Sequence, residues 1–447
     1  MTDLFLIRHG KSSWADESLR DQARPLNARG QQQLPALARA ARQLGALDGL
    51  ILSSNAQRAT QTLAGITADR CQQDRIFTEP GLYTFDYRVL LKTLSTVDDE
   101  STVTIVGHNP ALLDLASHLL DYPPDSFPTG SLMHIRLPAR PWNKLKKHSG
   151  QLRTLLTPRD ISFQLFIRKR DMNSPDSAEP LAGHIPDALL HQYRLMRDLE
   201  NGVIYGFDEE FLHQYRIALR RSRAIAETVA GLIEVRHLHK AIKTLGRHAR
   251  ATSALRDLHV FIAAREEDLR AAGALPFFQS LAHSQQQQLR EHLQSGNYQR
   301  DMDRWLRLIT SSSFRKHTLN LKPKDIRHTL ESRISRYNQW AAKLNEQSPD
   351  EDIHALRKLL KRIRYLMELQ KPDRNKVMKK VKKRQSWLGN FQDLHVHLEL
   401  LYRFREDKGT LTQHDETEDA INTLIESVEQ DKAGLRDQIL SHHRLML

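Results

Sequence analysis

Leu4-Phe5-Leu6-Ile7-Arg8-His9-Gly10 carries four consecutive apolar residues straight into a basic pair and a glycine. A short apolar run without alternation predicts a strand buried on both faces, the kind found in a parallel sheet. His9 then emerges at the C-terminal edge of that strand, where open α/β sheets place their ligands. A second apolar run ends in Val106-Gly107-His108-Asn109-Pro110 and brings His108 to the same edge. Between the two, Leu50-Ile51-Leu52 reads as a strand, Ser53 to Gln57 as a turn and Arg58 to Thr62 as the start of a helix. This adds Arg58 to the rim. Leu132 to Leu137 and Gln151 to Leu156 read as closing strands.

Such a rim suits phosphoryl transfer. Hydrolysis of a phosphomonoester or phosphoramidate needs a nucleophile and fixed positive charge around the equatorial oxygens. His9 can be the nucleophile, and Arg8, Arg58 and His108 can supply the charge, with arginine offering a planar fork that never loses its proton. These groups require neither a metal nor a cofactor.

The constellation resembles the histidine phosphatase superfamily and, within it, the short SixA-type phosphohistidine phosphatases. The likeness covers about residues 1 to 160 and includes Arg24-Pro25-Leu26-Asn27, Arg29-Gly30 and Pro128-Thr129-Gly130. It implies a phosphoglycerate-mutase-like α/β fold with a mostly parallel sheet flanked by helices. It also implies that His9 becomes phosphorylated in a pocket made by Arg8, Arg58 and His108. Many members protonate the leaving group with a carboxylic acid, and Glu79, in Thr78-Glu79-Pro80-Gly81-Leu82-Tyr83, is the candidate here. A phosphohistidine donor needs less of that help than an ester, because imidazole leaves readily.

A chain of 447 residues is too long for one core and divides into two or three domains. No stretch approaches the roughly 18 apolar residues of a membrane span. The first apolar run is too short for a secretory signal and has no basic leader. The only cysteine, Cys71, cannot form an intramolecular disulfide, so a reducing cytoplasm is the expected home. Residues 1 to 160 hold 19 Lys and Arg against 16 acids and residues 161 to 447 hold 48 against 38, which puts most of the net charge of +13 in the second part. The polar, proline-containing run from Arg168 to Pro180 reads as a linker. We set the linker at 161–182, with the phosphatase-like domain at 1–160 before it. After it, segments rich in Leu, Ala, Arg and Glu predict helices almost throughout.

Those helices repeat. The stretch from His213 to Arg223 matches His354 to Arg364 at an offset of 141 residues, and Arg256-Asp257-Leu258-His259 matches Gln392-Asp393-Leu394-His395 at 136. This predicts an all-α bundle over 183–440 with halves at about 183–310 and 320–440. At about 100° per residue, His213, Arg216, Arg220 and Arg223 fall on one helical face. His354, Arg357, Lys361 and Arg364 do the same. Lys240, Lys243 and Arg247 form a further basic row, copied as Lys376, Lys379 and Lys383. A face built for solubility would interleave acids at i+4, and these do not. Stacked like charges cost stability unless a polyanion neutralises them. Aromatic platforms for stacking bases are sparse, which argues against single-stranded nucleic acid and favours inorganic polyphosphate.

This half resembles the CHAD domain, a family of duplicated helical bundles with basic, histidine-containing inner surfaces associated with binding inorganic polyphosphate. Gln392 departs from the pattern where its counterpart is Arg256. Asp257 and Asp393 read as residues that orient neighbouring cations. His237 with His239, and His395 with His397, point about 200° apart on a helix and make no metal site.

The expected protein is therefore a cytoplasmic, polyphosphate-associated phosphohydrolase acting on a phosphorylated protein or small phosphorylated substrate through a phosphohistidine intermediate, with a helical domain that recruits or regulates it. Two other readings remain open on sequence. In one the helical domain delivers polyphosphate to His9 as substrate, and in the other the chain is a non-catalytic polyphosphate-binding module.

Overall fold

In β1 (Thr2–Arg8), Leu4 and Leu6 point into one apolar layer while Phe5 and Ile7 point into another, and all four are buried. A strand with core on both sides needs apolar residues at successive positions. Burial of each such side chain stabilises the fold by about 1.5–3 kcal/mol. β1 anchors a six-stranded sheet with β2 (Leu50–Ser54), β3 (Ile76–Glu79), β4 (Thr102–Gly107), β5 (Leu132–Leu137) and β6 (Gln151–Leu156), in the order β3-β2-β4-β1-β5-β6. The first four strands are mutually parallel, β5 runs antiparallel to β1, and β6 runs antiparallel to β5 and so in the direction of the first four. The structure, a computed structural model, describes residues 2–68, 74–98, 100–138, 142–167, 184–370, 376–408 and 415–442. Its contacts divide the chain into one unit of residues 1–171 with 205–208 and a second of 172–204 with 209–447.

Helices cover both faces of the sheet. α1 (Ala28–Gln43) and α2 (Gln57–Thr67) pack on the layer that holds Phe5 and Ile7, and α3 (Tyr87–Ser95) and α4 (Ala111–Leu119) on the layer that holds Leu4 and Leu6. β1 and β4 are neighbours whose chains depart to opposite faces, so a crevice opens between their C-terminal ends. The register pairs Arg8 with Gly107 and Ser53 with Val106. His9, Ser54 and His108 thus leave the sheet at one level.

The expected linker at 161–182 begins too early. Residues up to 167 are folded, with α5 (Pro158–Ile161) closed by a Thr157–Asp160 capping box and α6 (Phe163–Ile167) burying Leu165 and Phe166. The remainder, 168–182, and Cys71 lie outside the described residues.

The second unit is helical throughout its described length. It comprises α7 (Ile185–Tyr205), α8 (Glu209–Ala230), α9 (Leu238–Ala251), α10 (Ser253–Ala271), α11 (Leu275–Gln294), α12 (Gly296–Ile309), α13 (Ser312–Leu319), α14 (Pro323–Ala341), α15 (Asp350–Gln370), α16 (Lys376–Lys408) and α17 (Asp415–Ser441). α8 and α15 carry the matched basic helices and pack on each other. α9 and α10, separated at Thr252, correspond to the single long helix α16. Phe261, Phe278, Leu401, Phe404 and Val428 join the two halves in one core cluster. α12 and α13 have no copy in the second half among the described residues.

Gly30 sets a tight contact beneath the first site. A Cβ there would lie 2.3 Å from the Lys11 carbonyl oxygen, while Asn27 caps α1 by accepting from the Gly30 N–H at 2.9 Å. Gly30→Ala is expected to destabilise the α/β unit by about 1–3 kcal/mol, as overpacking does. A lowered urea midpoint in near-ultraviolet circular dichroism checks it.

Candidate functional site

His9 follows β1 directly and is held in one tautomer. Its Nδ1 lies 2.7 Å from the Gly10 carbonyl, which can only accept, so Nδ1 carries the proton and Nε2 keeps its lone pair. Arg58 Nε donates to that Nε2 at 3.2 Å. Burial, with further depression by Arg58 and Arg8, outweighs the Gly10 hydrogen bond and the Asp21 charge and brings the His9 pKa down to about 4. His9 is therefore a neutral imidazole at pH 7 with its lone pair facing a guanidinium.

His108 leaves β4 at the same level, its ring centroid 4.9 Å from that of His9. Its Nδ1 faces Arg58 Nη2 at 3.4 Å and its Nε2 donates to Ser54 Oγ at 2.8 Å. Burial and then the neighbouring His9 and Arg58 push its pKa down to about 3. Tyr83 stands edge-on to this ring at 5.4 Å. Arg8 donates to the Phe127 carbonyl at 2.7 Å, while its buried Nε has no hydrogen-bond partner among the described residues. A buried guanidinium N–H of that kind is what an anion satisfies. The rim thus offers one neutral nucleophilic nitrogen and two guanidinium groups in the same crevice.

The expected glutamate makes no hydrogen bond or ion pair with these groups among the described residues. Glu79 is exposed at the end of edge strand β3, in register with Ser54. The carboxylate connected to the site is Asp21, which sequence reasoning missed. Asp21 Oδ2 accepts from Arg58 Nη2 and from the Tyr83 hydroxyl, both at 2.8 Å, and its backbone carbonyl accepts from Arg58 Nη1 at 2.5 Å. Burial raises the Asp21 pKa, but the Tyr83 and Arg58 hydrogen bonds and charge outweigh it and hold the group below its usual range. It is a carboxylate at neutral pH and aims Arg58 rather than delivering a proton.

The Arg24-Pro25-Leu26-Asn27 motif explains how Asp21 arrives there. Ser13 N donates to the Pro25 carbonyl, Asn27 N to the Lys11 carbonyl and Leu26 N to Gln61 Oε1. The motif therefore ties the loop after His9 to α2 and suspends the short turn of Asp21–Ala23 above Arg58. Gly130, at φ +75°, donates to the Arg8 and His9 carbonyls and fixes the strand end from the other side.

In the helical unit, the structure gathers only some of the expected basic residues. Arg216 of α8 donates to Thr252 Oγ1 at 2.6 Å, at the C-terminal end of α9. Arg216 and Arg220 of α8, Arg256 of α10, and Arg357 and Lys361 of α15 lie within each other's fields, with His213 beside Arg256 and His354 beside Arg357. Burial, and then Arg357 and Arg220, drive the Lys361 pKa down to about 7. Asp257 and Asp393 sit among these cations and interact with Arg216, Arg357 and Lys361. Arg223 pairs with Glu227 at 3.2 Å and Arg364 donates to Gln385 at 2.9 Å.

The Lys240, Lys243 and Arg247 row does not join that cluster as a unit. Lys240 lines a separate pocket at the N-terminal end of α9, about 18 Å of helix from Thr252 at about 1.5 Å per residue. Arg247 is held by Asp301 at 2.6 Å, and Lys243 is exposed. Lys379 and Lys383 are exposed on α16, with Lys383 over the Trp387 ring, while the Lys376 side chain lies outside the described ones. Period counting places residues on a face but does not report the neighbour that neutralises one of them. Among the described residues no group of three or more His, Cys, Asp or Glu is arranged to hold a metal ion, and no helix is long and apolar enough to cross a membrane.

Residues 4–90 match the family model of the histidine phosphatase superfamily (branch 1), and residues 187–402 match that of the CHAD domain. The chain thus joins a histidine phosphatase superfamily domain to a CHAD domain. The first match stops short of His108, which enters the site through the sheet register. Among sequences, an uncharacterized chloroplastic protein of Arabidopsis thaliana is 34% identical over 126 residues, which is 26% of this chain and 58% of the relative. The match therefore spans little more than half of that curated relative's length. Among solved structures, the CHAD domain of the plant Ricinus communis aligns over 62% of this chain and 96% of its own, at 22% identity and a TM-score of 0.50. A protein of Agrobacterium tumefaciens named for the phosphohistidine phosphatase SixA aligns over 35% of this chain and 98% of its own, at 25% identity and a TM-score of 0.31.

Ring-nitrogen NMR of the histidines should show both His9 and His108 neutral at pH 6, His9 as the Nδ1–H form, with protonation near pH 4 and pH 3. Titration of either ring at its ordinary value of about 6.5 would contradict the assignment of burial as the dominant effect.

Proposed function

We propose that this chain is a phosphohydrolase that works through phosphorylated His9, without a metal, on phosphohistidine or a small phosphorylated substrate, and that its helical unit binds inorganic polyphosphate. The observation that carries the first part is the convergence of a neutral His9 Nε2 with Arg58 at 3.2 Å. In the reaction, the Nε2 lone pair attacks phosphorus and the bond to the leaving group breaks, its electron pair staying with the leaving atom, which takes a proton from solvent. The Gly10 carbonyl keeps the proton on Nδ1, so the phosphorylated ring is cationic and itself a good leaving group. Water then adds to phosphorus, the bond to Nε2 breaks, and phosphate departs with the water's protons while His9 returns to its neutral form. Arg58 and Arg8 stabilise the equatorial oxygens, and His108 lines the crevice beside His9.

Ionised Asp21 cannot protonate the leaving group, which favours a donor that solvent alone can protonate. A phosphohistidine fits, because its imidazole departs readily once protonated from solvent. An alkyl phosphate would need a proton from a group such as Glu79 at the rim.

The polyphosphate reading is supported by the clustering of Arg216, Arg220, Arg256, Arg357 and Lys361 from both repeats. Like charges held together in a half-buried setting are stabilised by a linear polyanion. Asp257 and Asp393 offset part of the repulsion without it.

Incubation with a radiolabelled phosphohistidine peptide should label the wild type transiently in acid-labile form, and His9→Ala should abolish both labelling and turnover. Persistence of turnover in that variant would sink the mechanism. Arg220→Glu should weaken long-chain polyphosphate retention at least tenfold in a filter-binding assay and leave hydrolysis of an aryl phosphate intact, whereas loss of both would make polyphosphate the substrate of His9. Retention should also fall steeply with added salt through counterion release. Because Lys361 has its pKa at about 7, polyphosphate affinity should fall as pH rises from 6 to 8.5, and Lys361→Arg should remove most of that dependence.

A further inference from the structure

A pocket of about 550 Å³ opens where the N-terminal end of α9 meets α12 and the start of α13. Arg236, His237, Lys240, Arg304 and Arg307 line it against a single acid, Asp301. Asp301 is already bound by Arg247 at 2.6 Å, Arg304 at 3.1 Å and His248 at 3.2 Å. Arg236, Lys240 and Arg307 are left without a carboxylate partner among the described residues.

Two helix ends add to this positive potential. α9 is entered through His237 at φ +66°, a left-handed conformation rarely adopted outside glycine, and it has no side-chain cap for its first-turn N–H groups. α13 begins beside the pocket at Ser311, whose hydroxyl caps the Phe314 N–H, and Ser313 lines the same wall. Helix N-termini favour anions.

The interior of the pocket is of a different character. Val235, Leu245, Leu308 and Trp305 supply an apolar lining. Trp305 is 2% exposed, and its indole Nε1–H has no hydrogen-bond partner among the described residues. An unpaired buried donor costs about 1–3 kcal/mol. A polyphosphate chain would satisfy the cations but leave the apolar lining unmatched.

We infer that this pocket binds a small phosphorylated molecule with a flat ring system, of the mononucleotide class, the phosphate meeting Arg236, Lys240 and Arg307 and the ring entering beside Trp305. The site is separate from the basic cluster on α8 and α15. Among the described residues it has no counterpart in the second repeat, because α12 and α13 have no copy there, so it is not one half of a duplicated surface.

The test is calorimetric titration of the full chain with AMP, adenosine and inorganic phosphate, with tryptophan emission recorded in parallel. AMP is expected to bind at one site per chain at least tenfold more tightly than adenosine or phosphate alone. The double variant Arg236→Glu, Arg307→Glu should weaken AMP at least tenfold and leave long-chain polyphosphate retention unchanged. Trp305→Phe should remove the emission response. The surface arginine variants keep the test valid if that core variant fails to fold. Equal binding of AMP and inorganic phosphate would overturn the ring assignment, and absence of AMP binding would overturn the site. Parallel loss of polyphosphate in the arginine variants would merge the pocket with the polyphosphate face and overturn its separate identity. A wild type that binds AMP but never retains polyphosphate would support the pocket and count only against the polyphosphate reading.

Discussion

Arg58 is gripped from two directions, and the first site depends on that grip. Asp21 takes its two terminal nitrogens through a carboxylate oxygen and a backbone carbonyl, while its Nε is left to face His9. A guanidinium can do this because its donors lie in a rigid fork, whereas a lysine would offer one rotatable ammonium. The same burial that orients Arg58 dries both histidines and keeps them uncharged. The neutrality of the histidines and the placement of the guanidinium therefore share one cause.

The helical unit meets the opposite difficulty. Here burial, and then the close packing of cations from two repeats, lowers proton affinity, and Lys361 is driven down to about 7. Asp257 and Asp393 reduce the repulsion, but they are outnumbered by the arginines around them. Duplication gives the basic cluster length along the bundle, and the substitution of Gln392 for the counterpart of Arg256 makes the two ends unequal.

The departures from symmetry are local and have consequences. The break at Thr252 separates α9 from α10, while the equivalent stretch of α16 continues unbroken. That break supplies the hydroxyl that receives Arg216. At the other end of α9, α12 and α13 enclose Lys240 in a pocket of its own. A basic row that is continuous in the sequence is thus divided among an ion pair at Arg247, an exposed lysine and a cavity wall.

The sequence by itself determined the α/β and helical halves, the strand-end positions of His9 and His108, and the duplicated basic helices. These are readable because two-sided burial of Leu4 to Ile7 demands an unbroken apolar run, and because helical period aligns residues three and four apart. Tertiary structure alone decided that Asp21 rather than Glu79 meets Arg58, because the contact spans 37 positions and depends on how Pro25, Leu26 and Asn27 dock on the loop after His9. It also decided that residues 161–167 are folded, as the end of α5 and the whole of α6, through the buried side chains of Ile161, Leu165 and Phe166. Local pattern records which face a residue occupies, and only packing decides which distant partner that face will meet.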